Sequence, residues 1–220
     1  PPPPRARGGA RGPGAMGNSV ACDCHSGQHW RRREPHEVRL AATEILSIAG
    51  VTGYHTSVII DDREYFFDSL GIMAAPPLSS HTAGQEKHGK LATEIIEIGR
   101  TGWSGNDLVS ALHPYFAKGS YDIFFKNCNS FSDAALYFLT RTRLPGRHNR
   151  IERLIAATSP LSTDLLNRLF RSVMQSKTGV QCNEDVYVTN PEAQEFSMDS
   201  VIAGLTEEES SSESGGSDSD

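Results

Sequence analysis

Apolar residues crowd the stretch from Val38 to Val173, and their spacing switches between two periods. Tyr54–Ile60, YHTSVII, is rich in β-branched side chains and predicts a strand. Asp61-Asp62-Arg63 predicts a turn and Glu64–Phe67 a second short strand, so the pair reads as a hairpin. Pro76-Pro77 opens a long polar loop to about Lys90, and Ala92–Ile98 predicts a third strand closed by Gly99. Beyond it the period lengthens. Leu108, Leu112 and Phe116 fall at i, i+4, i+8 and predict a helix over Gly105–Phe116, weakened near its end by Pro114. Tyr121–Phe125 predicts a short strand or extended segment.

The best-patterned helix follows. Phe131, Ala134, Ala135, Phe138 and Leu139 form one apolar face. Ser130 with Asp133 three residues on resembles a capping box, which starts the helix near Asn129 or Ser130, and Leu144-Pro145-Gly146 stops it. Two more helices are predicted, Ile151–Ala157 and Thr163–Gln175. Strands followed by helices in one chain predict an α+β domain. No internal repeat is present.

The ends differ from this body. Residues 1–15 are mostly Pro, Gly and Arg, and the last 14 residues are Glu, Ser, Gly and Asp only. Neither composition builds a core. The organisation expected is an N-terminal extension over 1–36, a domain over 37–175 and a flexible acidic tail over 176–220. The chain opens on Pro1 rather than Met, which suggests a fragment or an upstream extension. Past Lys177 there is no Lys or Arg, so the net charge of −6 hides a mildly basic body and an acidic tail. No basic stripe with interleaved aromatics marks a nucleic-acid partner. No apolar run approaches the roughly 20 residues of a membrane span, and no signal-peptide pattern opens the chain. The four cysteines, Cys22, Cys24, Cys128 and Cys182, form no disulfide framework, which suggests a reducing, cytoplasmic setting. Cys22-Asp23-Cys24-His25 lacks a second ligand pair at zinc-finger spacing, so no metal and no cofactor is expected.

The candidate chemistry sits at Cys128, just before the best-patterned helix. A helix N-terminus carries about half a positive charge and unpaired N–H groups, which favour thiolate over thiol. The same N–H groups can stabilise an oxyanion, and the flanking Asn127 and Asn129 offer further donors or positioning groups. A cysteine nucleophile needs a base. Of the eight histidines only His55 lies within a predicted strand, which fixes its direction. Taken singly, each residue also fits a structural role: a cysteine packed as a small hydrophobe, a histidine satisfied within a sheet.

The segments around these two residues resemble the PPPDE family of cysteine peptidases. They are Gly53-Tyr54-His55-Thr56-Ser57-Val58 with Glu64-Tyr65-Phe66-Phe67, and Tyr121–Ser132, YDIFFKNCNSFS. Ile98-Gly99-Arg100-Thr101 is similar to the family's central Gly-x-Thr element, and Leu144-Pro145 to the Ile-Pro after its catalytic helix. The resemblance spans roughly residues 38–160. It implies a permuted papain-like fold, a small antiparallel sheet packed with helices, in which histidine precedes cysteine; here His55 precedes Cys128 by 73 positions. It further implies a Cys–His dyad that cleaves conjugates of a ubiquitin-like modifier through an acyl-enzyme. The alternatives are a protein S-acyl thioesterase or lipid acyltransferase on a related fold, and a non-catalytic, membrane-tethered binding module. Two stretches depart from the family. Leu70 stands where the family is richer in glycine and would narrow a groove, and Glu37–Gly50 matches the first strand and loop poorly. For a third catalytic member, Glu64 and Asp68 are the candidates.

Met16-Gly17-Asn18-Ser19-Val20-Ala21-Cys22 resembles an N-myristoylation start, with Ala21 where Ser or Thr is usual. Gly17 would take the acyl chain. Cys22 and Cys24 are palmitoylation candidates, and Arg31-Arg32-Arg33 could meet anionic lipid. The expectation is a cytosolic protein, membrane-associated if this segment is lipidated.

Overall fold

A computed structural model describes residues 35–48, 51–81, 93–157, 163–179 and 187–213. The lipidation candidates Gly17, Cys22 and Cys24 and the arginine run lie outside the described residues. Five strands form one antiparallel sheet: β1 (His36–Ile48), β2 (Val51–Ile60), β3 (Arg63–Asp68), β4 (Gly71–Ala75) and β5 (Glu94–Thr101), in the order β4-β3-β2-β1-β5. The helices are α1 (Gly105–Leu112), α2 (Cys128–Thr140), α3 (Arg150–Ala157), α4 (Thr163–Thr178), α5 (Pro191–Gln194) and α6 (Met198–Glu213). The arrangement is the expected α+β one, a small sheet packed with helices.

The predicted hairpin is β2–β3, turning through Asp61 in the left-handed region with φ of 53°. Strand β1, interior to the sheet, fills the stretch that matched the family poorly. Its Ala-Ala-Thr-Glu-Ile-Leu run has helix-forming composition, and ladders to β2 on one side and β5 on the other override that preference. β5 runs three residues past its predicted end. Gly99 does not close the strand; with φ of 153° it sits where the register to β1 shifts between Val38 and Arg39, at a bulge. Gly71–Ala75 forms β4, a strand the pattern left unassigned, and Leu70 at the β3–β4 turn is 59% exposed.

The core lies between the sheet and α2. Val38, Leu40, Val58, Ile60, Tyr65 and Phe67 meet Phe131, Ala134, Ala135, Leu136 and Leu139 of α2, with Leu108, Leu112 and Phe116 closing one side. Phe116 packs edge-on against both Phe67 and Phe131, at ring distances of 5.1 and 5.5 Å. Ala134 and Ala135 carry no bulk beyond Cβ, which lets the helix lie close to the strands. α1 ends at Leu112, before Pro114, although Phe116 still reaches the core. Tyr121–Phe125 is not a strand. Asp122 accepts from the backbone N–H groups of Phe124 and Phe125 at 2.8 and 3.0 Å, folding the segment into a tight turn closed by an Asp122–Lys126 bridge.

The C-terminal boundary moves as well. Residues 187–213, expected in the flexible tail, carry α5 and α6, and Val201 and Leu205 belong to the main core. Tyr187 packs edge-on against Phe124 and donates to Asp122. The acidic composition hid an apolar i, i+4 pair. A Cβ on Gly204 would lie 2.1 Å from the Tyr115 hydroxyl oxygen, so α6 seats at close range. Leu205→Ala is accordingly expected to cost about 2–4 kcal/mol of stability, measured by urea unfolding. An unchanged midpoint would show that α6 is a loose tail.

Candidate active site

Cys128 is the first residue of α2. The cap is Asn127, with extended backbone (φ −128°, ψ −168°) and a side-chain oxygen that accepts from the N–H groups of Asn129 and Ser130 at 2.9 and 3.1 Å. Ser130 Oγ returns the contact by accepting from Asn127 N–H. The helix therefore begins one or two residues earlier than the sequence predicts, and the capping box is Asn127–Ser130 rather than Ser130–Asp133. Asp133 serves elsewhere: it takes a two-pronged contact from Arg143 and accepts from Leu144 N–H, pinning the chain after α2. Cys128 is 6% exposed and lies at the positive end of the helix dipole.

The two flanking asparagines fasten this helix end. Asn129 Nδ2 donates toward Tyr54 O (3.0 Å), His148 O (3.1 Å) and Glu152 Oε1 (2.8 Å). Its Oδ1 accepts from Thr56 Oγ1 at 2.8 Å and lies 3.9 Å from Cys128 Sγ. Asn127 Nδ2 donates to Ile123 O (3.0 Å) and Glu152 Oε1 (2.8 Å). Each amide has two hydrogens, and both are committed. The geometry thus favours positioning over oxyanion binding for Asn127 and Asn129.

Glu152 is the acid that sequence reasoning passed over; it read only as an early residue of a short helix. It lines a pocket with Cys128, whose apolar walls come from Ile45, Ile123, Phe124 and Ile151. Both amides converge on its Oε1, while Oε2 is buried without a hydrogen-bond partner. Burial pushes its pKa above the ordinary carboxylate range, against the lowering effect of the amide donors. Tyr121, also on the pocket, is pushed well above the usual phenol range by burial and by the neighbouring Cys128 charge. His148 is buried, packs edge-on against Tyr54 at 4.9 Å and has no partner at Nδ1. Desolvation, with Arg147 beside it, lowers its pKa.

β2 brings the backbone of His55 against the same helix end, between Tyr54 and Thr56, which both bond Asn129. Successive side chains on a strand point to opposite faces. Thr56 points to α2, where it also lies 2.9 Å from Ser132 Oγ. His55 alternates with Thr56 along β2, on the same side of the strand as Ser57, and the Cys128 pocket takes Gly53 and Tyr54 from β2. His55 Nε2 is 2.8 Å from Ser80 Oγ, and its ring lies 4.7 Å from that of His81. Ser80 Oγ donates to Glu64 Oε1 and Ser80 N–H to Oε2. His81 is bracketed by Thr43 Oγ1 at 2.7 Å and Ser57 Oγ at 2.9 Å. Of the two candidate third members, Glu64 joins this cluster through Ser80. Asp68 accepts from Leu70 N–H and serves the β3–β4 turn. Leu70 does not line the Cys128 pocket. Ser80 and His81 lie in a short 3-10 turn, Ser79–His81, inside a segment that reads in sequence as polar loop. Among the described residues no cluster of His, Cys, Asp or Glu is arranged to hold a metal ion.

The PPPDE putative peptidase domain matches residues 33–170. Desumoylating isopeptidase 1 of Homo sapiens is 28% identical over 96 residues, covering 42% of this chain and 53% of that protein. The Rattus norvegicus protein of the same name is 31% identical over 96 residues with the same coverage, and that of Xenopus laevis 29% over 102 residues. The chain spans about half the length of the curated relatives it matches.

The raised pKa of Glu152 has a consequence for stability. Its proton is held more tightly in the folded chain than in the unfolded one. Its contribution is therefore fully present below the unfolded value and is lost as pH rises through the folded one. Glu152→Gln keeps an acceptor for both amides and removes the ionisation. It is expected to raise the Tm near pH 8 by a few degrees, on the order of 1 kcal/mol for a domain this size. Near pH 4 the two proteins should melt alike. Melting curves across that range check this; an equal gain at both ends would mean that ionisation is not the cause.

Proposed function

Taking as premise that this chain belongs to the PPPDE family of peptidases, we propose that it is a thiol isopeptidase acting on conjugates of a ubiquitin-like modifier. The observation that carries this reading is Cys128, seated at the first position of a buried, asparagine-capped helix and lining a pocket. The printed name of the relatives, desumoylating isopeptidase, supports the substrate class. In this reading Cys128 gives its proton to His55 and the thiolate attacks the scissile carbonyl carbon. The tetrahedral intermediate collapses to a thioester, and the leaving lysine amine takes the proton from His55. Water, deprotonated by His55, then attacks the thioester; the acid product leaves and the thiol regains its proton. The N-terminal dipole of α2 favours the thiolate at the start and stabilises the negative charge that develops on the carbonyl oxygen.

A second reading has one observation in its favour. The walls Ile45, Ile123, Phe124 and Ile151 suit an acyl chain, which fits a protein S-acyl thioesterase using the same acyl-enzyme steps. A ubiquitin-like probe with a carboxyl-terminal electrophile separates the readings. It is expected to label the protein at Cys128, and labelling that persists in Cys128→Ala would assign the nucleophile elsewhere. His55→Ala is expected to lower turnover of an isopeptide conjugate by about 100-fold or more with an unchanged Tm. Hydrolysis of thioesters with none of isopeptides would select the second reading. A Cys128 that alkylates no faster than an ordinary thiol would make the domain a binding module.

A further inference from the structure

Strand β3 holds a charged side chain that the proposed chemistry does not use. Glu64 pairs across the ladder with Ile59, which shares a β2 face with Ser57 and His55. It is 0% exposed. Burying a carboxylate costs several kcal/mol unless its oxygens are answered. They are answered mainly by one residue: Ser80 gives its hydroxyl to Oε1 and its backbone N–H to Oε2. His81 Nε2 stands 3.5 Å from Oε1.

A serine hydroxyl has one hydrogen. Once that hydrogen goes to Glu64, Ser80 Oγ can only accept from its next neighbour. That neighbour is His55 Nε2 at 2.8 Å. We infer that Ser80 and Glu64 set the tautomer of His55: the hydroxyl, oriented by the buried carboxylate, holds the imidazole as Nε2–H and leaves the lone pair on Nδ1. Ser80 and Glu64 are then positioning residues, acting on the thiol only through His55, and Nδ1 is the nitrogen that takes the proton. His81 has two hydroxyl partners of its own, Thr43 and Ser57, and its Nε2 also stands 3.5 Å from Glu64 Oε1. The turn that presents Ser80 is fixed by Ser79 N–H to Pro76 O and His81 N–H to Leu78 O, at 3.2 and 3.1 Å.

This inference rests on the reading of His55 as the base, and its test separates the two. Long-range 1H–15N correlation spectra of the labelled full chain, recorded above the imidazole titration, report which His55 nitrogen carries the proton. The expected result is Nε2–H in the wild type, a mixture of tautomers in Ser80→Ala, and Nε2–H again in Ser80→Thr, which keeps the hydroxyl. Alkylation of Cys128 by iodoacetamide near neutral pH should slow about tenfold or more in Ser80→Ala and recover in Ser80→Thr. A wild-type His55 protonated at Nδ1 would overturn the inference, as would a Ser80→Ala protein that changes neither tautomer nor alkylation rate. Should Ser80→Ala not fold, the wild-type and Ser80→Thr spectra decide alone. Unchanged alkylation and turnover in His55→Ala, with the Nε2–H tautomer observed in the wild type, would sink the base and leave the tautomer assignment standing.

Discussion

A helix end buried in a protein must have its N–H groups answered by the protein, because water cannot reach them. Every residue of α2 from Cys128 to Leu136 is buried, so its first turn faces this demand in full. Asn127 meets it with one side-chain oxygen on two N–H groups. Its amide then ties the cap to the preceding turn and to Glu152, and Asn129 ties the same end to β2 and to the loop before α3. Replace either asparagine by an aliphatic residue and several buried groups lose partners at once, each costing about 1–3 kcal/mol. The position of Cys128 is a by-product of this satisfaction: it is the residue the cap makes first in line with the helix axis.

Two groups of polar side chains gather around β2. Toward α2 lie the thiol, the two amides and an acid with a raised pKa, walled by isoleucines and Phe124. The second group is two imidazoles, four hydroxyls and Glu64, with nearly every polar atom hydrogen-bonded. His55 joins the second set through its Nε2, while its two neighbours in β2 bond the helix end of the first. A strand is suited to this, since it fixes the side chain's direction while its neighbours at 54 and 56 hold the helix.

Periodicity made α2 legible, because its apolar face repeats over two turns, and the β2–β3 hairpin was legible from a β-branched run and an aromatic run flanking an Asp-Asp turn. The cap was misread by three residues. Asn and Ser both cap helices, and only the fold shows that Asp133 is claimed by Arg143. β1 was obscured because a strand covered on both faces loses its alternation and shows a helix-like composition. α6 was hidden by its acids. At the site, Cys128 and His55 were visible as residue types in a suggestive context. Ser80, His81, Glu152 and His148 carry no local signal, since their environments come from segments far away in the chain: Ser80 meets residues 16 and 25 positions away, and Glu152 meets residues 23 and 25 positions away.

Asn129 bonds Tyr54 and Thr56 across 75 and 73 positions. Closing loops of that length is entropically costly until many other contacts support it, so the tie between strand and helix belongs to the late part of folding. Until then Cys128 is a thiol without a capped helix behind it. On the proposed function, catalytic competence and the native topology would arrive together. A newly made or partly unfolded chain would then be chemically quiet, and the rate at which Cys128 reacts would double as a gauge of the fraction of chains that have completed the fold.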